Sequence, residues 1–158
     1  MIGCFLDRSV LFGFLGAFNL ERGEAYLWGD GNNKMEFTTY PDTAAYTAEA
    51  ALAEGPLPRE FFVAGESLTF HELVNETAVG LGRPVTVKKL GTLADLDAEI
   101  ARRLQTEPGN MFSWLPLMYW RGMLNGKGRL ATLMNAQYPA VHPIGVREYV
   151  KTMLASSA

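Results

Sequence analysis

Residues 28–40, WGDGNNKMEFTTY, and residues 41–53, PDTAAYTAEAALA, decide how the fold of this chain is interpreted. Glycine and asparagine tolerate positive φ, so GDGN at residues 29–32 predicts a tight turn. Apolar residues alternate on both sides of that turn, which predicts two short strands joined by it. The order turn, strand, helix therefore sets the framework for the rest of the chain.

The residues after the second strand predict a helix. Thr39 is a good N-cap, Pro41 is tolerated in a first turn, and Asp42 complements the positive end of a helix. Residues 54–56, EGP, favour its end. We expect its small residues to lie close to a sheet; these are Ala44, Ala45, Ala48, Ala51 and Leu52.

A second strand–helix–strand unit follows. Residues 61–64, FFVA, form a continuous apolar run typical of a strand covered on both faces. Thr69 and Glu72 match a capping box, and the helix they start ends at Gly82. Residues 85–90 predict the next strand, and a right-handed crossover would pair it in parallel with the run at 61–64.

The C-terminal part is predicted to be helical. One helix begins at Thr92 and ends before residues 108–109, and another covers residues 144–154. Between them, residues 110–124 are apolar around the whole helix axis. Such a helix is either buried on every side or faces a ligand cavity, and the sequence leaves both open, with plain core favoured.

Composition excludes several classes of function. With 158 residues the chain suits one domain covering residues 1–158, and 48% apolar with 20% charged residues is an ordinary globular balance. A net charge of −3 argues against a nucleic-acid partner. The apolar stretch at residues 10–18 lacks the pattern of a signal peptide. The stretch at residues 112–124 is too short to span a membrane. One cysteine, Cys4, fits a reducing compartment, so a cytoplasmic protein is expected.

Catalytic motifs are incomplete throughout. Residues 71–75, HELVN, lack the second histidine of a zinc-protease helix. Ser67 and His142 have no complete nucleophile motif around them. The glycine-containing segments at residues 29–32 and 125–128 lack the spacing of a phosphate loop. We therefore predict no catalytic residue and no metal site.

Several pieces of the chain, taken in order, resemble one protein family. They are GCFLD at residues 3–7, the turn, strand and helix start at 29–42, VAG at 63–65 and LTFHEL at 68–73. This order is similar to the C-terminal, substrate-side part of NmrA-like and isoflavone-reductase-like proteins, an atypical branch of the short-chain dehydrogenases. The resemblance implies an α/β fold, namely a partial Rossmann-like fold with short parallel strands and a C-terminal helical substrate-binding subdomain.

The resemblance also implies where ligands bind. Family members bind NAD(P) through a glycine-rich loop after their first strand, and no position here matches that loop. In the retained part, Gly3, Cys4 and Phe5 are expected near the nicotinamide. The cofactor of the parent family is thus NAD(P), which this chain alone is not expected to bind tightly.

For the substrate, the resemblance places Phe12, Trp114, Met118 and Tyr119 nearby, and Phe5 and Phe14 are further candidates for the wall opposite the helix at residues 110–124. The parent enzyme would transfer a hydride to a small apolar or phenolic substrate. We expect the chain alone to be inactive.

Three alternatives remain at this stage. The missing half comes from a partner chain or from a longer reading frame, the chain forms a homodimer, or it is a non-catalytic regulatory or small-ligand-binding module. Of these, a dimer or a partner chain that supplies the missing half would cover the exposed edge expected for the strand at residues 1–6.

Overall fold

The computed structural model describes residues 1–56 and 58–155. Its strands are β1 (Cys4–Phe5), β2 (Phe18–Asn19), β3 (Glu24–Trp28), β4 (Met35–Thr38), β5 (Glu66–Leu68) and β6 (Thr86–Gly91). Its α-helices are α1 (Tyr40–Leu52), α2 (Phe70–Leu81), α3 (Leu93–Thr106), α4 (Met111–Leu124) and α5 (Val146–Ala155), with a π-helical turn at Val10–Phe14 and a 3₁₀ turn at Asn135–Gln137. In these ranges no helix has the length and apolar character that a bilayer crossing requires.

The strands form two small mixed sheets. In one sheet β1 runs parallel to β4, and β5 pairs with the other side of β4 in antiparallel orientation. In the other sheet β3 lies between antiparallel β2 and parallel β6. Parallel neighbours require a long crossover connection, and α1 and α2 lie in the connection from β3 to β6. The predicted α/β class with short parallel strands is therefore confirmed.

The turn at residues 29–32 forms as predicted, but it does not join a hairpin. Gly29 and Gly31 have φ angles of +77° and +71°. The strands on its two sides, β3 and β4, belong to different sheets. The amide of Gly29 donates to the carbonyl of Gly91 at 2.8 Å, and the amide of Phe70 donates to Gly31 at 3.0 Å. The turn is thus bonded to β6 and to α2. It carries the chain from the sheet that contains β3 to the sheet that contains β4.

Residues 61–64 do not form a regular strand, so that prediction was wrong. Their backbone groups bond to the carbonyl of Met1, the amide of Met134 and the side chain of Asn135. These partners come from separate segments, and no ladder is built. The predicted parallel pairing of this run with residues 85–90 fails for the same reason, because β6 pairs with β3 instead.

Helix α1 begins as predicted but buries a different face. Its N-cap is Thr39, whose side chain accepts a hydrogen bond from the amide of Asp42. The buried positions are Asp42, Tyr46 and Ala50, whereas the alanine face predicted to pack on a sheet is largely exposed. The ring of Tyr46 meets that of Tyr138 edge to face at 6.3 Å. The C-terminal segment therefore covers α1 where a sheet was expected.

Helices α2 and α3 confirm the predicted local signals. In each, a threonine hydroxyl accepts from the third helical amide while the carboxylate of that residue accepts from the threonine amide. The pairs are Thr69 with Glu72 and Thr92 with Asp95. Gly82 ends α2 with φ of +67°, a left-handed conformation that glycine adopts without strain.

The main core joins both sheets to α2, α4 and α5. Helix α5 packs closely on α2, since a Cβ atom added at Gly80 would lie 2.7 Å from the Cβ of Val150. Large side chains that are almost fully buried in this core are Leu6, Leu11, Leu27, Phe37, Phe70, Leu73, Val146 and Val150. The C-terminal helices are thus part of the same core as the sheets.

Candidate functional site

An aromatic cleft of about 290 Å³ lies between the segment after the π-helical turn, β3 and α4. Below, it is called the aromatic cleft. Its lining residues are Phe14, Leu15, Gly16, Ala17, Tyr26, Trp28, Leu90, Arg103, Phe112, Ser113, Pro116, Leu117 and Trp120. Its volume is at the lower end of the roughly 300–1,000 Å³ usual for ligand pockets. A ligand of one or two rings is the size that fits.

Trp120 forms the fixed floor of the aromatic cleft. Its side chain is only 3% exposed, and its ring packs edge to face on Phe70 at 5.8 Å. Its indole N–H donates to the carbonyl of Leu15 at 2.8 Å. This bond ties α4 to the segment after the π-helical turn, so the two walls of the cleft are held at a defined separation.

The rim of the aromatic cleft is open and aromatic. The ring of Phe14 meets Phe112 at 6.4 Å and Tyr119 at 5.8 Å, both edge to face. Phe112 and Tyr119 remain 73% and 56% exposed. Large exposed aromatic side chains at the mouth of an apolar cleft are unusual for a plain core helix, so the plain-core interpretation accounts only for the buried positions of α4.

The predicted substrate residues are not those that line the cleft. Phe12 packs on Phe18 at 5.2 Å, and Tyr119 lies at the rim against Phe14. Met118 is 45% exposed, and the indole nitrogen of Trp114 is buried without a hydrogen-bond partner among the described residues. Their role in binding substrate stays a prediction.

The spacing of α4 explains which residues were missed. Phe112, Pro116 and Trp120 are four residues apart and share one helix face. At about 100° per residue, Trp114 and Met118 lie roughly 120–160° around the axis from Trp120. The i, i+4, i+8 pattern was present in the sequence, but an all-round apolar helix gives no rule for choosing between its faces.

Arg103 brings a charge to the aromatic cleft. Its Nε donates to Glu99 Oε1 at 2.6 Å, and its Nη1 donates to the carbonyl of Ser113 at 2.6 Å. Arg102 also donates to Glu99, at 2.7 and 2.8 Å. These hydrogen bonds, from Arg102 first and then Arg103, lower the pKa of Glu99 from its ordinary 4.5 to about 2. Glu99 is therefore ionised at neutral pH.

The strand–helix junctions of the described residues do not fit a pyrophosphate. Such a group binds at a helix N-terminus with free amides and a positive dipole end. At α1, α2 and α3 a threonine closes the terminus, and a carboxylate lies in the first turn. Hydrogen bonds from the Thr69 and Thr92 backbone amides are the largest cause lowering the pKa values of Glu72 and Asp95, which stay negative there.

A second, wider depression of about 790 Å³ lies at the carboxyl ends of β3 and β6. It is lined by the turn at Gly29 and Asp30, by Asn33 and by residues 89–95. Asp30 and the α3 cap residue Asp95 make its wall acidic, although Lys89 is also present. An anion would meet carboxylates here, which disfavours phosphate binding at this site.

The residues expected near a nicotinamide have structural partners in this chain. A Cβ atom added at Gly3, where φ is +71°, would lie 2.3 Å from the carbonyl oxygen of Glu36, so only glycine fits. Burial raises the pKa of the Cys4 thiol to about 12. Phe5 stacks on the half-exposed ring of Tyr40 at 4.2 Å. Their proximity to a cofactor stays a prediction.

The incomplete catalytic motifs have ordinary structural roles. His71 Nε2 shares a 2.8 Å hydrogen bond with the carbonyl of Asp30, which fixes the turn against α2. Ser67 donates to Glu36 Oε1 at 3.1 Å. In the part of the chain that the structure describes, His, Cys, Asp and Glu side chains form no group suited to a metal ion.

No family model matches this sequence, and no curated protein matches it. Solved structures do. Leucoanthocyanidin reductase from Vitis vinifera in complex with NADPH has a TM-score of 0.65 at 17% identity, over 84% of this chain and 46% of that chain. An isoflavone reductase matches with a TM-score of 0.65 at 17% identity, over 82% of this chain and 43% of that chain. TunA, an NAD-dependent NDP-hexosamine 5,6-dehydratase, matches with a TM-score of 0.51 at 15% identity, over 99% of this chain and 45% of that chain.

These matches confirm the expected resemblance at the level of the fold. The chain has part of a Rossmann-like fold, and it spans less than half the length of the structures it matches. Shared fold at such low identity leaves the chemistry to be argued from the site.

Proposed function

We propose that this chain is the substrate-side portion of an NAD(P)-dependent reductase whose substrate is a small aromatic or phenolic molecule. The observation that carries the proposal is the aromatic cleft, a cavity with a fixed Trp120 floor and a rim formed by Phe14 and the exposed Phe112. It occurs on a fold shared with an NADPH complex of leucoanthocyanidin reductase. The aromatic side chains of its lining suit planar ring ligands.

Under the same proposal, residues outside this chain bind the dinucleotide. The three capped strand–helix junctions carry their own carboxylates, which oppose a pyrophosphate. We therefore expect the chain alone to bind NADPH weakly and to be inactive without the missing portion.

Ligand binding to the purified chain tests the proposal. Naphthol, a neutral phenol of two rings, is titrated while tryptophan fluorescence is recorded, because Trp28 and Trp120 line the cleft. Leu117→Trp fills the cleft and should abolish saturable binding. Leu115→Trp is the matched control, since Leu115 is on the same helix, similarly half-buried, and outside the lining. Equal binding by both variants, or none by the wild type, would contradict the proposal.

A second candidate is a non-catalytic binding or regulatory module that acts through a partner or a dimer. It is favoured by the exposed apolar side chains on α4, which are Met111, Phe112, Met118 and Tyr119. Exposed apolar patches mark interaction surfaces. Among the described residues β1 is an edge strand, and an edge strand is a position where another chain can pair.

The two candidates separate in a reconstitution experiment. The chain is mixed with a glycine-loop half taken from an isoflavone-reductase-like enzyme, and NADPH consumption is followed with a phenolic substrate. Restored turnover supports the reductase portion. A stable complex or dimer without turnover supports the module.

A further inference from the structure

We infer that the aromatic cleft selects ligands that carry an anionic group, such as a carboxylate, and that Arg103 recognises that group. This inference rests on the proposed function, because it names the kind of aromatic ligand that the cleft takes. It starts from the placement of one guanidinium at the wall of an otherwise uncharged cavity.

Arg103 is the charged residue among the described residues that line the aromatic cleft. The other lining groups are apolar, or polar but neutral. Of the polar ones, Tyr26 donates its hydroxyl proton to Glu24 Oε2 at 2.8 Å, and Ser113 donates to the carbonyl of Asn110 at 2.9 Å. Their donors are engaged elsewhere, so Arg103 is the charged donor that the lining side chains offer to a ligand.

Arg103 has one acidic partner among the described residues. Arg102 and Arg103 share the carboxylate of Glu99, and Glu107 also acts on Arg102. The single carboxylate of Glu99 is thus divided between two guanidinium groups. A ligand anion beside Arg103 would be attracted to its positive charge, whereas a ligand cation would be repelled.

The guanidinium of Arg103 is held in place and has donors to spare. Arginine has five N–H donors. Two of them bond to Glu99 and Ser113, and Nη2 has no hydrogen-bond partner among the described residues. Fixing Nε and Nη1 orients the planar group in advance, which reduces the entropy lost when a ligand binds. A carboxylate is the anion whose two oxygens match that geometry.

A pair of ligands with the same shape tests the inference. Naphthoate and naphthamide share the two-ring body and differ in charge, so both are titrated against the wild-type chain by calorimetry. Charge-assisted hydrogen bonds predict that naphthoate binds about tenfold or more tightly than naphthamide. Added salt should reduce this preference, since the side chain of Arg103 is one-third exposed.

Three variants at Arg102 and Arg103 test which arginine recognises the anion. Arg103→Gln should remove the preference for naphthoate, so that the ratio of the dissociation constants of naphthamide and naphthoate falls from about ten to about one. Arg102→Gln is the matched control, because Arg102 is the neighbouring residue, bonds to the same Glu99 and does not line the cleft. It should keep most of the preference. Arg103→Lys retains the charge without the planar fork and should show an intermediate ratio.

Each other outcome overturns the inference. Equal binding of naphthoate and naphthamide by the wild type would do so without any variant. An equal loss in Arg102→Gln and Arg103→Gln would show a general field rather than recognition by Arg103. If naphthol binds but naphthoate has no advantage, the inference fails while the proposed function stands. If none of the three ligands binds, both fail.

Discussion

The strand–helix junctions and the aromatic cleft satisfy their polar groups in opposite ways. At the junctions of α2 and α3, the threonine hydroxyl accepts from the third helix amide and the carboxylate of that residue accepts from the threonine amide, which places a negative charge at the helix end. In the aromatic cleft, rings form the walls, and Arg103 keeps unused donors at one side. In a Rossmann-like fold the junctions are the usual phosphate sites. We therefore expect a ligand of this chain to bind in the aromatic cleft.

The largest expected effect tests whether Trp120 is a fixed part of the cleft. Trp120→Ala should lower the free energy of unfolding by about 3–5 kcal/mol, because it removes a buried ring and leaves a cavity. It also removes the hydrogen bond to the carbonyl of Leu15. Urea denaturation measures the loss. Tyr119→Ala, at an exposed rim position, is the control and should cost less than about 1 kcal/mol.

A smaller effect is expected at the junctions. Thr92→Ala removes the hydroxyl that caps α3 and should cost about 1 kcal/mol. Thr106→Ala, at the other end of the same helix, should change stability by no more than about 0.5 kcal/mol. Chemical denaturation of both variants decides the matter. If they are equally stable, the hydroxyl of Thr92 does not close the junction, and the contrast with the cleft weakens.

The smallest expected effect is the loss of stability at low pH that comes from protonation of Glu99. Its pKa falls from 4.5 to about 2 on folding, so its hydrogen bonds contribute stability that is full above the ordinary value and is lost as pH falls toward 2. The contribution should be under about 1 kcal/mol, since the group is close to solvent. Wild type should lose stability more steeply than Glu99→Gln over this window. Matching slopes in urea denaturation at a series of pH values would rule the contribution out.

The local features of this fold were predictable and the distant pairings were not. The caps at Thr69 and Thr92 depend on residues within one helical turn, and the sequence predicts both. The pairing of β3 with β6 depends on residues about sixty positions apart, which no local pattern encodes. The run at residues 61–64 has the composition of a strand, yet its backbone bonds to Met1 and to the C-terminal segment.

The candidate site shows the same limit. Apolar content predicted α4 and its aromatic wall, and Phe14 was among the residues proposed for the opposite wall. Which face of α4 meets the cleft depends on the bond from Trp120 to Leu15, a contact between distant segments. Arg103 was missed because a charged residue on an amphipathic helix is normally assigned to solvent, although a long arginine side chain reaches across its neighbours.

The most direct measurement is a titration of the purified chain with NADPH, followed by nicotinamide fluorescence, beside the naphthol titration. The central claim is that this chain holds the aromatic-ligand cleft and lacks the phosphate cradle. It predicts saturable binding of naphthol and a nicotinamide signal that rises linearly without saturation. Saturable NADPH binding in the micromolar range, with no binding of naphthol, would contradict the claim.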